Sequence, residues 1–318
     1  MLDALIKLIA SIVSSLNGKK LFVLIYHRVF DEPDYMHQGE VDRKEFSWQM
    51  QLLARYFNVI TLSEAIKAQN EGRLPSRAVA VTFDDGYADN LYNALPILKA
   101  NNLTATFFIA SGFLDGGRMW NDSIVEAVRN AKSASIDLTE LGFGICDISA
   151  NPQKEQLARK LVGQAKYKTP AERETYISIV QAATGSELPN NLMLTTKELQ
   201  EMHQAGMEIG GHTISHPILK TLSDAEALAE IADNKVVLEE KLGISLKVFA
   251  YPNGKPGIDY LPQHVDIIKN LGYQGAVSTV WGVNSANTDR WQLGRFTPWD
   301  KTPGKFLLRM LRMYLQVK

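Results

Sequence analysis

Apolar residues in this chain gather into short blocks, and between the blocks they recur every three or four positions. The blocks are residues 21–26 (LFVLIY), 79–83 (VAVTF), 105–110 (ATFFIA), 246–251 (LKVFAY) and 275–278 (GAVS). Shorter candidates lie at 59–60, at 207–211 (MEIGG) and at 292–296, which carries Arg295. Runs of this length, rich in β-branched and aromatic residues, read as strands buried on both faces. Helical spacing fills the intervals. Phe46, Met50 and Leu53 mark one helix, Thr61 or Ser63 caps a second, and residues 91–99 form a third. Ser223 opens another that runs to Leu242 with Gly243 as its stop, and 264–271 is the last of this series. Strand, helix and strand in repetition predict a parallel α/β sheet or barrel over residues 21–300. Residues 119–204 interrupt the rhythm. They read as three or four helices broken at Asn151-Pro152 and Pro189-Asn190-Asn191, a helical insertion on the main domain.

The two ends differ from the middle. Leu2, Leu5, Ile9, Ile12 and Leu16 recur at helical spacing, which predicts an amphipathic helix over residues 1–20. That stretch is too short to span a bilayer and lacks the basic opening and small-residue cleavage site of a signal peptide. Residues 301–318 contain FLLRMLRMYLQ, a basic amphipathic helix that suits either the main domain or an anionic membrane surface. The expected place is therefore the cytoplasm, with peripheral contact on the inner face of the cytoplasmic membrane. A net charge of −1 argues against a nucleic-acid binder. Cys146 is the single cysteine, which rules out an intrachain disulfide and a thiolate-rich metal site. Nothing in the pattern specifies an oligomer.

The block at 79–83 ends in Asp84-Asp85-Gly86. In α/β sheets and barrels, side chains at the carboxyl ends of strands line the active site. Adjacent carboxylates in unlike surroundings can divide the work, one binding a metal and the other moving protons. The alternative is that these acids cap the helix that follows. His27 ends the first strand in the corresponding position. His212 and His216 stand four apart after Gly210-Gly211, a spacing that lets a tight turn bring both imidazoles to one ion. Asp85 is the best third ligand, leaving positions open for water and substrate.

Thr82-Phe83-Asp84-Asp85-Gly86-Tyr87 and His212-Thr213-Ile214-Ser215-His216-Pro217 resemble the first two motifs of the polysaccharide deacetylases, the NodB-homology family of metal-dependent carbohydrate N- and O-deacetylases. The resemblance covers roughly 21–296 outside the insertion. It implies a distorted (β/α) barrel of about seven strands. It implies Asp84 as general base and Asp85, His212 and His216 as ligands of one divalent metal, Zn2+ first, with Co2+, Ni2+, Fe2+ or Mn2+ as alternatives. It also implies an acetylated glycan as substrate, the N- or O-acetylated sugar of a bacterial polysaccharide or its precursor.

Two departures stand out. The family's third motif, Arg-x-Pro-aromatic-Gly, reads Ala250-Tyr251-Pro252-Asn253-Gly254 here. The Asn253 N–H can still hold an oxyanion, and Arg295 is the candidate to orient Asp84 in place of the missing arginine. The family's Leu-x-His acid has no counterpart, since no histidine follows His264. Some biofilm-polysaccharide deacetylases carry that histidine on the first strand in a Tyr-His pair. Tyr26-His27 is similar, which makes His27 the candidate acid. Among Tyr87, Trp120, Tyr251, Trp281 and Trp299, the expected sugar-stacking residues are Tyr251 and Trp281. Two other functions fit the same resemblance: an amidase on a non-sugar C–N bond, and a catalytically idle carbohydrate-binding protein. The complete Asp-Asp-His-His set stands against the second, because binding alone does not require it.

Overall fold

The computed structural model describes residues 19–316, so the helix expected over 1–20 lies almost wholly outside the described residues. Seven parallel strands follow one another around the sheet in chain order: β1 (Leu21–Tyr26), β2 (Ala78–Phe83), β3 (Thr106–Ile109), β4 (Glu208–Gly211), β5 (Val248–Ala250), β6 (Gly275–Trp281) and β7 (Leu293–Arg295). The sheet closes on itself. Ile25 N–H donates to the Phe296 carbonyl at 3.0 Å, and Phe296 N–H donates to the Val23 carbonyl at 2.8 Å. The expected distorted (β/α) barrel is the observed one. Its distortion sits between β2 and β3, which pair only at Thr82 and Phe83; the two-residue strand Asn58–Val59 pairs with the start of β2 instead.

Apart from the exposed end of β6, the strands are buried on both faces, and the period of two sorts their side chains. Leu21 and Val23 of β1, Ala78 and Ala80 of β2, Phe108, Val248 and Leu293 share one cluster inside the barrel. Phe22, Leu24, Val79, Val81 and Phe107 belong to the second cluster, packed outward against the helices. The inner positions are small where Phe108 needs room. The helix Leu62–Asn70 plugs the bottom with Leu62, Ala65 and Ile66, and its amino end carries the Thr61–Glu64 capping box. The inward parity also sends Thr82, Asp84 and Arg295 to the barrel axis at the carboxyl end of the strands.

The long connection from β3 to β4 carries helices in the number expected and departs from expectation in one respect. Three of its helices, Trp120–Arg129, Asn151–Ala165 and Pro170–Thr184, pack around a core of their own that includes Ile124, Val128, Leu161 and Val180. The connection also holds an antiparallel hairpin, Ser135–Leu138 with Gly144–Asp147, so the insertion over 119–204 is not purely helical. Ile136 and Leu138 are its only inward residues on the first strand, too few to register as an alternating pattern. The fourth helix, Thr196–Gln204, buries Leu199 and Met202 in the barrel's outer core and is an ordinary barrel helix.

The C-terminal helix Pro303–Gln316 packs on the barrel through Phe306, Met310, Met313 and Tyr314. Lys20 Nζ, at the start of β1, donates to the Tyr314 carbonyl at 2.6 Å.

Candidate active site

The carboxyl ends of the strands open into a cleft of about 410 Å³. His27, Asp84, Asp85, His216 and Asn253 all line it. Residues foreign to the barrel close the far side: His37 and Glu40 from the loop after β1, and Trp120, Asn121 and Lys166 from the insertion.

Asp85, His212 and His216 converge. Asp85 Oδ1 lies 3.4 Å from His212 Nε2 and 3.5 Å from His216 Nε2, and one ligand atom from each lies within 4.8 Å of the others. His212 Nδ1 sits 2.7 Å from the Ala250 carbonyl. A carbonyl only accepts, so Nδ1 carries a proton and Nε2 is the ring atom that faces Asp85. Burial alone would raise the Asp85 carboxyl, but the imidazoles of His212, His216 and His27 hold it well below the usual carboxylate range. Burial lowers His216 to about 4, which keeps that imidazole neutral. Asp85 Oδ1 is sealed from solvent yet makes no hydrogen bond. An ionised carboxylate oxygen in that state is costly unless a cation joins it. One carboxylate and two imidazoles around that orphaned oxygen suit a divalent ion of the Zn2+ type.

Asp84 faces the other way. Arg295 forks onto it, Nη1 to Oδ1 and Nη2 to Oδ2 at 2.7 Å each, and Arg295 Nε donates to the Ser278 carbonyl at 2.9 Å. Arg295 thus reaches Asp84 from β7. Burial would raise Asp84; the Arg295 guanidinium, with His212 and His27, lowers it below its ordinary value. His27 stands across the cleft, its side chain 40% exposed and Nδ1 3.7 Å from Glu40 Oε1. Burial disfavours its charged form, yet the carboxylates of Glu40, Asp85 and Asp84 outweigh that and raise it. The Asn253 N–H donates to no protein acceptor among the described residues, while the Asn253 carbonyl accepts from Thr279 Oγ1 at 2.6 Å.

Backbone strain concentrates here. Asp85, Thr213, His216 and Asn253 have φ of 79°, 65°, 52° and 57°. Such values are uncommon for residues other than glycine and persist only where the surroundings over-determine them.

The two aromatic expectations are corrected. Tyr251 is fully buried, stacks on Tyr260 at 3.8 Å between ring centroids, and donates to the Trp291 carbonyl. It follows the inward Ala250, so its ring points out of the barrel into the helical layer. Trp281 ends β6 beyond a register shift and is 48% exposed, outside the cleft lining. Tyr87 and Trp120 reach the cleft instead, with the Arg173 guanidinium 4.7 Å over the Trp120 ring. Arg28, unforeseen, lines the cleft while bonded to Asp89 at 2.8 Å.

Comparisons with known proteins agree with this geometry. A sequence model of the polysaccharide deacetylases matches residues 71–140 and 167–276, more than half of the chain. The Bacillus subtilis protein YxkH, named for the same family, is 23% identical over 278 residues, 87% of this chain and 70% of that one. The poly-beta-1,6-N-acetyl-D-glucosamine N-deacetylase of Staphylococcus epidermidis is 34% identical over 82 residues, 26% of this chain and 28% of that one. The Streptococcus pyogenes deacetylase PplD, solved with acetate, has the same fold: TM-score 0.62, 22% identity, 91% of this chain and 97% of that chain. With the family's two aspartates and two histidines gathered at one end of the barrel, the chain belongs to the polysaccharide deacetylases, hydrolases of carbon–nitrogen bonds other than peptide bonds.

Proposed function

We propose that this chain is a metal-dependent hydrolase that removes acetyl groups from N-acetylated sugar units of a bacterial polysaccharide or its precursor. The observation that carries the reading is one cleft holding three separate tools: the Asp85-His212-His216 triad, Asp84 forked by Arg295, and His27 beside Glu40. The substrate of the Staphylococcus epidermidis relative, a poly-N-acetylglucosamine by its name, favours N-acetylglucosamine units over a non-sugar amide.

A divalent ion held by Asp85, His212 and His216 would polarise the acetyl carbonyl and acidify a water. Asp84, fixed in one rotamer by the Arg295 fork, takes the proton of the attacking water. The Asn253 N–H, with no protein acceptor among the described residues, would donate to the developing oxyanion. His27, charged, gives its proton to the leaving nitrogen as the C–N bond breaks.

The test is acetate release from β-1,6-linked N-acetylglucosamine oligomers by chain loaded with Zn2+. Loaded chain that releases ammonia from simple amides and no acetate would favour the amidase reading. His27→Ala is expected to lower kcat by about 10²–10⁴-fold with little change in KM. Because an acid must be protonated to act, the rate should fall as pH rises through the raised His27 value. Glu40→Gln removes the nearest carboxylate and should move that alkaline limb to lower pH. A limb that stays put would take Glu40, and with it His27, out of this role.

The C-terminal helix favours a lipid partner for the outer face. Leu308, Leu311 and Leu315 are exposed along one side, Lys305 and Arg312 are exposed beside them, and the helix carries no acid. Apolar residues flanked by cations suit an anionic bilayer surface. The chain should pellet with phosphatidylglycerol vesicles at low salt, and Leu308→Asp/Leu311→Asp should abolish pelleting. Equal pelleting of the variant would exclude this helix.

A further inference from the structure

The turn that carries both histidines contains two strained residues, Thr213 and His216, and little of it is held by the sheet. Two side chains from one helix supply most of its side-chain hydrogen bonds. The helix Asp224–Leu242 runs behind the loop, with Glu230 and Asn234 one turn apart on the same face. Glu230 Oε2 accepts from the N–H groups of Ile214 and Ser215, each at 2.9 Å, and Oε1 accepts from Ser215 Oγ at 2.6 Å. Asn234, fully buried, uses its whole amide. Its Oδ1 accepts from His212 N–H at 3.1 Å; its Nδ2 donates to the carbonyls of Ile109 and Thr213, at 3.0 and 2.6 Å, and to Ser111 Oγ at 2.9 Å.

The neighbouring backbone is shaped to receive that amide. A Cβ on Gly211 would lie 2.8 Å from Asn234 Oδ1, so the residue before His212 must be small for Asn234 to come this close. The remaining grip is backbone from the loop after β3, where Ser111 and Gly112 N–H donate to the Thr213 and Ile214 carbonyls at 3.2 and 3.0 Å, and a longer contact from Arg173 Nη1 to the His216 carbonyl at 3.4 Å.

We infer that Glu230 and Asn234 are positioning residues for metal capture: they set the shape of the 212–216 turn so that both imidazoles face Asp85 before any ion arrives. The alternative conformations open to a free turn would point one or both rings away, and the ion would then have to organise the turn at a cost in affinity. Neither side chain touches the triad's ligand atoms. Their effect is on the affinity for the ion, and it is separable from the chemistry once the ion is bound. This inference rests on the triad being a metal site, which binding to the wild-type chain tests by itself.

The experiment is a Zn2+ titration of metal-free chain in competition with a chromophoric chelator, for wild type, Glu230→Ala, Glu230→Gln and Asn234→Asp. Each is paired with a thermal melt of the metal-free form. Outer residues that orient metal ligands typically change affinity by about 10–100-fold, and Glu230→Ala should weaken Zn2+ binding by that factor. Glu230→Gln still offers an oxygen to the two N–H groups and an N–H to Ser215 Oγ, and should recover most of the affinity. Asn234→Asp keeps the acceptor for His212 N–H but turns a second oxygen on three acceptors, and should bind Zn2+ at least as poorly as Glu230→Ala. Saturating Zn2+ should return the Glu230→Ala rate to near wild type. Should the aspartate variant fail to fold, the Glu230 pair decides. A folded Glu230→Ala chain with wild-type Zn2+ affinity overturns the inference, as does a loss that glutamine does not rescue. A wild-type chain that binds no Zn2+ overturns the metal reading itself.

Discussion

Asp85→Asn is expected to remove bound metal and deacetylase activity together, with kcat/KM falling by about 10³-fold or more. The size follows from what the ion supplies: several kcal/mol of charge stabilisation at the carbonyl, each 1.36 kcal/mol being a factor of ten. Asparagine is the informative replacement. It tolerates the positive φ of 79° at this position better than alanine does, and it keeps the side-chain volume. What it loses is the charge that binds the cation. Among the described residues the triad is the only cluster of its kind, and the neighbouring carboxylate, Asp84, is already forked by Arg295. The measurement is elemental analysis of dialysed protein beside acetate release. Asp85→Asn with wild-type metal content would place the ion elsewhere. A chelator-treated wild type that keeps full activity would remove the metal from the mechanism.

Much of this arrangement was legible in the sequence because it obeys short-range rules. Solid apolar blocks gave the barrel strands, since a strand covered on both faces has no polar alternation to hide it. The motif residues sit where those blocks end, and strand ends are where a barrel collects its chemistry. Arg295 came into view as a partner for Asp84 only through the resemblance, as a stand-in for the arginine missing from the third motif; its inward parity with Leu293 makes the contact. Tyr251 misled for the same kind of reason. Its nearness to the third motif suggested the cleft, but the period of two turns it away from Ala250 and onto Tyr260. Trp281 was lost to the register shift in β6, which no local pattern announces. Glu230 and Asn234 were invisible as partners because their loop lies at least 15 residues away in sequence. One signal was present: an asparagine in mid-helix is a poor helix former, and a buried one usually has backbone to satisfy. The cleft wall formed by Trp120, Asn121 and Lys166 depends on how the insertion folds back, which is a property of its own core.

The Asp84–Arg295 pair offers a test in which stability and catalysis separate. Both side chains are almost completely buried, at 4% and 0% exposure. Removing one partner of such a pair leaves an uncompensated charge and commonly costs about 3–5 kcal/mol of stability. Arg295→Met should therefore melt well below wild type, and Asp84→Asn should also lose stability, less so because the amide oxygen still accepts from one arm of the fork. The double variant, with neither charge, should regain most of what Arg295→Met loses. Activity should behave differently. Asp84→Asn cannot take a proton and is expected to lose about 10²–10⁴-fold in kcat. Arg295→Met keeps the carboxylate but frees its rotamer, and should lose part of that factor. The double variant should be as inactive as Asp84→Asn, however stable it is. Melting curves and acetate release at a temperature where all four proteins are folded give both readings. If the double variant recovered activity along with stability, the pair would be a structural bridge and the base would lie elsewhere. A folded Asp84→Asn chain within a few-fold of wild-type kcat would lead to the same conclusion. If stability returns and activity does not, the buried fork holds Asp84 as the base at the cleft.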